Sequence, residues 1–415
     1  MAVSINTDVA IIGAGIIGLA TAFRLAEAGR DVVVIDPNEA GSGASYGNAG
    51  TFAPYACTPV GNPDVLRNLP NLLFNRESPL AIRLSALPRL LPWLARFTHQ
   101  SMPGPARRNA YALASLLKEA IPAWRVLAEQ AGLSDLLRYE GCLYLYREKM
   151  PPGNGDWGHR LRDEFDVAQQ WLSSSEVAAL EPALPPCAGG LYFKDAAHIV
   201  DPSVLTQRLA AAAGARGASI QRARAERLEF QRGGQIRLIC RELTIDAHTV
   251  VLAAGAWSRS LARQAGEHIP LETERGYHIE FAMDSCPIGR PISPVDLGFY
   301  ITPMESRLRV AGTVELADLS TPLDPTRIAL LERGVRKLFP DLGPVHAQWL
   351  GFRPSLPDSL PVIGRSRAQP NVIHAFGHGH LGMTLAGVTS QIVAGLIARR
   401  NDTADLSAFR PDRFG

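Results

Sequence analysis

The residues best placed to do chemistry stand near the start of the chain. Gly13, Gly15 and Gly18 fall in G-x-G-x-x-G spacing, and Asp36 follows 23 residues after Gly13. Such glycines cradle a diphosphate. The first allows a tight turn, the second lets the backbone approach the phosphates, and the third lets the next helix pack close. The helix start offers unpaired N–H groups and the positive end of its dipole. A carboxylate about 20 residues on can accept hydrogen bonds from a ribose diol, and it disfavours a 2′-phosphate. This pattern implies a bound dinucleotide and leaves FAD and NAD both open. Arg353 is the second candidate. A guanidinium can grip a carboxylate through two parallel hydrogen bonds, which a lysine cannot; the competing reading is a structural salt bridge.

The elements around these residues fit the roles. Val9 to Ile12 is a short, partly β-branched apolar run, the mark of a strand buried on both faces. A helix carries apolar residues at Ile16, Leu19, Phe23 and Ala26, Gly29 closes it, and Val32 to Ile35 forms a second strand. Strand, glycine turn, helix, strand and terminal acid in that order make the motif far more specific than the glycines alone. The following loop, Pro37 to Pro54, is rich in Gly, Ser, Ala and Asn. It can drape along a cofactor through Ser45, Asn48, Ala49 and Gly50, or be a plain surface loop. Arg353 follows the apolar run WLGF and precedes Pro354, which places it at a strand end.

Length and composition bound the rest. With 415 residues, 46% of them apolar and 20% charged, the chain should form a two-domain globular protein. The net charge of +2 and the lack of a basic run with aromatics argue against nucleic acid. The five cysteines (57, 142, 187, 240 and 286) are scattered, with no metal or Fe–S spacing, and read as reduced thiols. No Ser/His/Asp or paired-carboxylate motif stands out. The opening MAVSINTDV lacks a secretion-signal pattern. No uninterrupted apolar segment reaches the roughly 18 residues of a spanning helix. A cytoplasmic location is expected.

Further along, residues from about 64 to 130 look helical and broken by prolines. Within them, Pro79 to Phe97 interleaves Leu, Ile and Trp with Arg83, Arg89 and Arg96. Most such stripes pack on a core. The sharper reading is a peripheral membrane contact on the cytoplasmic face of the inner membrane, with arginines at the headgroups; Pro88 and Pro92 argue against one continuous helix. Strands are expected at 141–146, 189–193 and 250–257, and a second sheet from Pro270 to Val314. Asp201-Pro202 should open a helix as cap and first residue. Further helices are expected from Pro325 or Thr326 to Leu338 and through Leu385, Val388, Ile392 and Leu396.

Together these pieces resemble the flavin-dependent oxidoreductases of the D-amino-acid oxidase family, with the bacterial D-amino acid dehydrogenase small subunits nearest. The resemblance rests on the N-terminal fingerprint, S-x-x-N-A-G (Ser45 to Gly50), VVLAAGAWS, RGYHI (Arg275 to Ile279), F-R-P-x-x-P-D-x-x-P-V-I-G and the terminal GHGHLGMTLA. It implies an α/β fold in which a Rossmann-type FAD-binding domain interleaves with a β-rich substrate domain carrying helices. The boundaries expected are 1–55, 187–265 and 345–415 for FAD, and 56–186 and 266–344 for substrate.

The resemblance further implies that Gly379, Leu381, Gly382, Met383 and Thr384 contact FAD, with the last helix aiming its dipole at the flavin. The expected cofactor set also takes in Ile16, Ile17, Ala225, Ala254 and Gly255. Arg353 would hold the substrate carboxylate and Tyr300 would close over it. His380 would face the active site; Tyr277 is a weaker candidate. Some relatives attach flavin to a cysteine near the C-terminal proline-rich run. No cysteine follows Cys286 here, so non-covalent FAD is expected.

The implied reaction is oxidation of a D-amino acid by hydride transfer from Cα to flavin N5. The imino acid then hydrolyses to a 2-oxo acid and ammonia. Secondary or cyclic amines (D-proline, hydroxy-D-proline, sarcosine, glycine) and a role as one subunit of a hetero-oligomeric dehydrogenase remain alternatives. A quinone or respiratory chain is the suggested electron acceptor.

Overall fold

A computed structural model describes residues 3–75, 77–151, 156–400 and 405–414. One sheet is built on Val3–Ile12, which pairs in parallel with Val32–Asp36 on one side and Leu243–Leu252 on the other. Ser219–Arg222 extends it beyond Val32–Asp36, and Val372–Phe376 pairs with the end of Leu243–Leu252. Val9, Ala10 and Ile11 are wholly buried because helices cover one face and antiparallel strands and a short helix close the other. The first helix, Ile16–Glu27, buries all but Arg24 and Glu27. It packs on the last helix, Gly382–Ile397, in one apolar cluster with Trp124. Gly379–Ile397 is long and apolar enough to cross a membrane, but 72% of its best window is buried inside the protein. It is a core helix here.

The second sheet runs in the order Ala347–Ser355, Glu272–Ala282, Arg307–Leu316, Phe299–Met304, Ile292–Pro294, Cys142–Tyr146, Gly189–Phe193 and Gln170–Ser173. Side chains alternate across a sheet, so each strand serves two layers. Tyr277, Ile279 and Phe281 pack towards the helix Pro325–Arg336 through Leu331 and Val335. Glu274 and Gly276, on the opposite parity, face the cleft between the sheets.

Gly189–Phe193 and Ala347–Ser355 fall in ranges that the sequence division assigned to the cofactor half, yet both pair in this second sheet. The chain crosses between layers more often than composition reveals, since strands of either sheet are equally apolar. The expected helices appear: Asp201 accepts from the Ser203 and Val204 N–H groups to cap Pro202–Ala215, and the described residues of the 64–130 region divide into five α-helices.

The arginine-leucine stripe is not one helix. It forms a strand, Leu80–Ile82, paired with Val314–Leu316, then a short turn, then the helix Leu87–Gln100 with Pro88 in its first turn. Arg83 bonds Glu315 and Asp324 at 2.6 and 2.7 Å, and Arg89 bonds Glu272 and Asp318 at 2.5 and 3.0 Å. Both clamp the stripe to the second sheet. Leu90 and Trp93 are buried, whereas Leu84 and Leu91 stay exposed.

Candidate active site

The two sheets enclose a cleft of about 1240 Å³, larger than the roughly 1,000 Å³ upper range of ordinary small-ligand pockets. Its inner end is the glycine turn. Gly13 takes φ +111°, and a Cβ there would lie 2.4 Å from the Ala253 carbonyl oxygen. A Cβ on Gly18 would lie 1.9 Å from the Gly13 oxygen. Gly18 therefore acts on packing and does not itself line the cleft, unlike Gly13, Gly15, Ile16 and Ile17.

The Ser45 hydroxyl accepts from the Ile16 N–H at 2.9 Å and so occupies one donor of the first helix's N-terminus. Asp36 also lines the cleft, its two carboxylate oxygens accepting from the Ala14 and Asn38 N–H groups at 2.9 Å. Asn48 and Ala49 reach the wall. Gly50 does not: at φ +77° it turns the chain beside Met304. Ala225, Ala254 and Gly255 line the same end.

The last helix points its N-terminus into the cleft. No side chain among the described residues caps that end, and Gly379, Leu381, Gly382, Met383 and Thr384 all border the space. Two fixed bonds hold it. Trp124 donates to the Met383 carbonyl at 2.7 Å, and the Thr384 hydroxyl accepts from the Ala53 N–H at 3.1 Å. Two helix N-termini with their dipoles converging on one cleft suit a long anionic or electron-rich ligand.

The outer end is formed by the second sheet. A β-bulge opposite Gly276 leaves Thr313 at φ +58°, and the Thr313 carbonyl accepts from Arg353 Nη1 at 2.8 Å. The guanidinium lies flat over Gly276, where a Cβ would sit 2.3 Å from Arg353 Cζ. Among the described residues no carboxylate lies within ion-pair distance of Arg353. Burial lowers its pKa, and Glu274 partly opposes that shift. Glu274, directly across the strand pair from Arg353, is buried and lines the cleft. Burial raises its carboxyl pKa, which Arg353 and Ser355 counteract.

Tyr300 stands three strands away on the same wall. Its hydroxyl is 3.0 Å from that of Tyr144 and 3.4 Å from that of Tyr55, which donates to Cys142 Sγ at 3.2 Å. Burial pushes the Tyr55 and Tyr300 phenols well above their ordinary range, and neighbouring phenols and the Cys142 thiol add to it. They remain protonated donors near neutral pH. His380 opens an exposed face to the cleft, but the surrounding protein and Arg353 hold its pKa down at about 4. Its neighbour His378 is buried, bonds Thr389 at 3.0 Å and is pushed down to about 3 by burial. Both are neutral imidazoles at pH 7. Tyr277 is not part of the wall: its hydroxyl donates to Glu315 at 2.5 Å, in the network that also holds Arg275.

A family model described as "DAO: FAD dependent oxidoreductase" matches residues 8–396. The chain belongs to this family. It is similar, at 35% identity over 98% of both chains, to a D-amino-acid oxidase of Bradyrhizobium diazoefficiens. It is 33% identical to a D-amino acid dehydrogenase of Methylobacterium nodulans, covering 94% of this chain and 95% of that one. In fold it is similar to a glycine oxidase of Geobacillus kaustophilus, with a TM-score of 0.75, 24% identity and coverage of 98% and 99%.

The protein is therefore an FAD-dependent oxidoreductase, and its residues fit that cofactor. The glycine turn that a Cβ would block and the uncapped start of the last helix are what an FAD needs at its two ends. Sequence reasoning missed Glu274, Gly276, Tyr55, Tyr144 and Arg162, all at or beside the wall that carries Arg353 and Tyr300. Glu274 and Gly276 had a signal: they flank Arg275 in alternation with the quoted RGYHI. Arg162 had none, because its helix Trp157–Glu164 is remote in sequence from every motif.

Proposed function

We propose that the enzyme oxidises a D-configured α-amino acid at Cα, giving an imino acid that water converts to a 2-oxo acid and ammonia. One observation carries the reading. Arg353 is fixed over Gly276 by the Thr313 carbonyl and opens to the cleft without a carboxylate partner among the described residues. A guanidinium held that way is preorganised for a carboxylate from solution. Tyr300 and Tyr144 add protonated hydroxyls along the wall, and Glu274 offers a carboxylate to the substrate amine. FAD, when bound, supplies the two-electron acceptor for the hydrogen leaving Cα. The chain's own part is to orient that bond and to keep water off it. The D configuration is supported by the names of the two relatives, a D-amino-acid oxidase and a D-amino acid dehydrogenase.

The test is dye-coupled turnover over D- and L-amino acids, D-proline, hydroxy-D-proline, sarcosine and glycine. The highest kcat/KM should fall on a primary D-amino acid. Arg353→Ala removes charge-assisted bonds that contribute about 1.5–3 kcal/mol, so KM should rise roughly tenfold to 150-fold. An unchanged KM, or a preference for sarcosine, would overturn the assignment.

A further inference from the structure

Among the described residues, the other buried guanidiniums all place terminal nitrogens on protein acceptors. Arg275 pairs with Glu315 and Arg309 with Glu280, and Arg327 donates to the Ser78 and Pro79 carbonyls; each meets an acceptor there. Arg162 does not. It is 7% exposed and lines the same cleft as Arg353. No acidic residue lies within ion-pair distance of it among the described residues, and 152–155, beside its helix, contain none in sequence. Its Nε donates to the Gln169 side chain at 2.9 Å, and its guanidinium carbon sits 5.3 Å from the Phe193 ring centre. The two terminal nitrogens make no hydrogen bond to any described residue. An arginine carries five N–H donors, and a buried charge left without an anion is costly.

The place of Arg162 gives those donors a direction. Phe193 stacks on Tyr55 at 4.0 Å and meets Tyr144 edge-on at 5.0 Å. Both tyrosines reach Tyr300 through their hydroxyls. The wall thus reads as Arg353, then Tyr300 with Tyr144, then Arg162: two cationic ends separated by neutral donors. The carboxylate on the wall, Glu274, belongs to the Arg353 end.

We propose that the preferred substrate is a dicarboxylic amino acid of the aspartate or glutamate type, with its α-carboxylate on Arg353 and its second carboxylate on Arg162. A neutral side chain of equal length leaves the Arg162 donors unmet, and an unmet buried donor costs far more than a missing methylene. The inference rests on the assignment of Arg353 above, so its test includes a binding measurement that needs no turnover.

Purified holoprotein is titrated with succinate, glutarate and butyrate, following the perturbation of the flavin absorption band. At least one dicarboxylate should bind tenfold or more tighter than butyrate, and Arg162→Gln should bring the two within about twofold. Arg162→Lys, which keeps charge without the planar fork, should fall between. In turnover, kcat/KM for D-glutamate or D-aspartate should exceed that for D-glutamine or D-asparagine by at least tenfold, and Arg162→Gln should shrink the ratio. Wild-type protein that binds butyrate as tightly as both dicarboxylates overturns the proposal without any variant. Turnover of D-alanine with equal use of D-glutamate and D-glutamine overturns it too, while leaving D-amino-acid oxidation standing. If no amino acid is oxidised, the deamination reading fails and the titration still decides the second-carboxylate site.

Discussion

Gly276 shows how much a missing side chain can contribute. Its φ is unremarkable, so alanine costs the backbone nothing, but the new Cβ would stand 2.3 Å from the centre of the Arg353 guanidinium. The fork must turn away, and with it the direction of both parallel bonds. Gly276→Ala should therefore raise KM by about tenfold or more while the melting temperature moves little, since roughly 1.4 kcal/mol of lost binding is a factor of ten. An unaltered KM would mean that Arg353 does not meet the substrate in this pose. Glu274→Gln is the complementary change. It keeps the shape and removes the charge facing the amine, so it should weaken substrate binding but leave simple monocarboxylates bound as tightly as before or tighter. A loss of butyrate affinity equal to the loss of substrate affinity would place Glu274 in support of Arg353 instead. This pair was only half legible in sequence: Arg353 announces itself by following an apolar strand, whereas the importance of Gly276 depends on which strand lies beside it.

At the level of elements, the local signals were strong wherever one segment defines its own environment. The glycine turn and the Ile16–Glu27 helix stand where spacing and apolar pattern put them, and the strand expected at Val9–Ile12 is the buried end of a longer one that starts at Val3; a short buried strand and a close-packed helix tolerate few other residues. Asp201 as a cap and Pro202 at the first helical position also read directly. What could not be read was pairing. Strand partners depend on contacts tens to hundreds of residues away, so Ala347–Ser355 and Gly189–Phe193 gave no sign of which sheet would receive them. The arginine-leucine stripe shows the same limit: Arg83 and Arg89 look like headgroup ligands until Glu315, Asp324, Glu272 and Asp318 appear beside them. The turn itself yields a sharp prediction. With 1.9 Å between a Gly18 Cβ and the Gly13 oxygen, Gly18→Ala must push the helix off the strand and open the diphosphate cradle. The purified variant should retain much less flavin than wild type, read as the ratio of the visible band to protein absorbance. Full flavin content would show that the helix tolerates the shift. Wild-type flavin itself should be released by acid precipitation, leaving a colourless pellet, since none of the five cysteines borders the cleft.

Across the whole molecule, burial of neutral histidines ties stability to pH. His374 and His278 are held down to about 3 and His198 to about 4, chiefly by desolvation, and His378 likewise to about 3. All four are at most 4% exposed. In the unfolded chain each titrates near 6.5. Between pH 6.5 and 4 the unfolded state therefore binds more protons than the folded one, and stability must fall as pH drops through that window. From pH 7 to 5 each such histidine costs on the order of 1–2 kcal/mol. Glu274 works against this trend, since its raised pKa lets the folded state take up a proton first, but it is one group against four. The melting temperature should decline steadily from pH 7 to 5. His374 offers the cleanest control, because neither of its ring nitrogens has a hydrogen-bond partner among the described residues and its ring meets Phe376 edge-on. His374→Leu removes one titrating group without breaking a bond. Its melting temperature should fall less steeply over the same range, so that any deficit at pH 7 narrows or reverses by pH 5. Parallel melting curves for variant and wild type would mean that His374 gains its proton without unfolding, and that the interior is wetter than its packing implies.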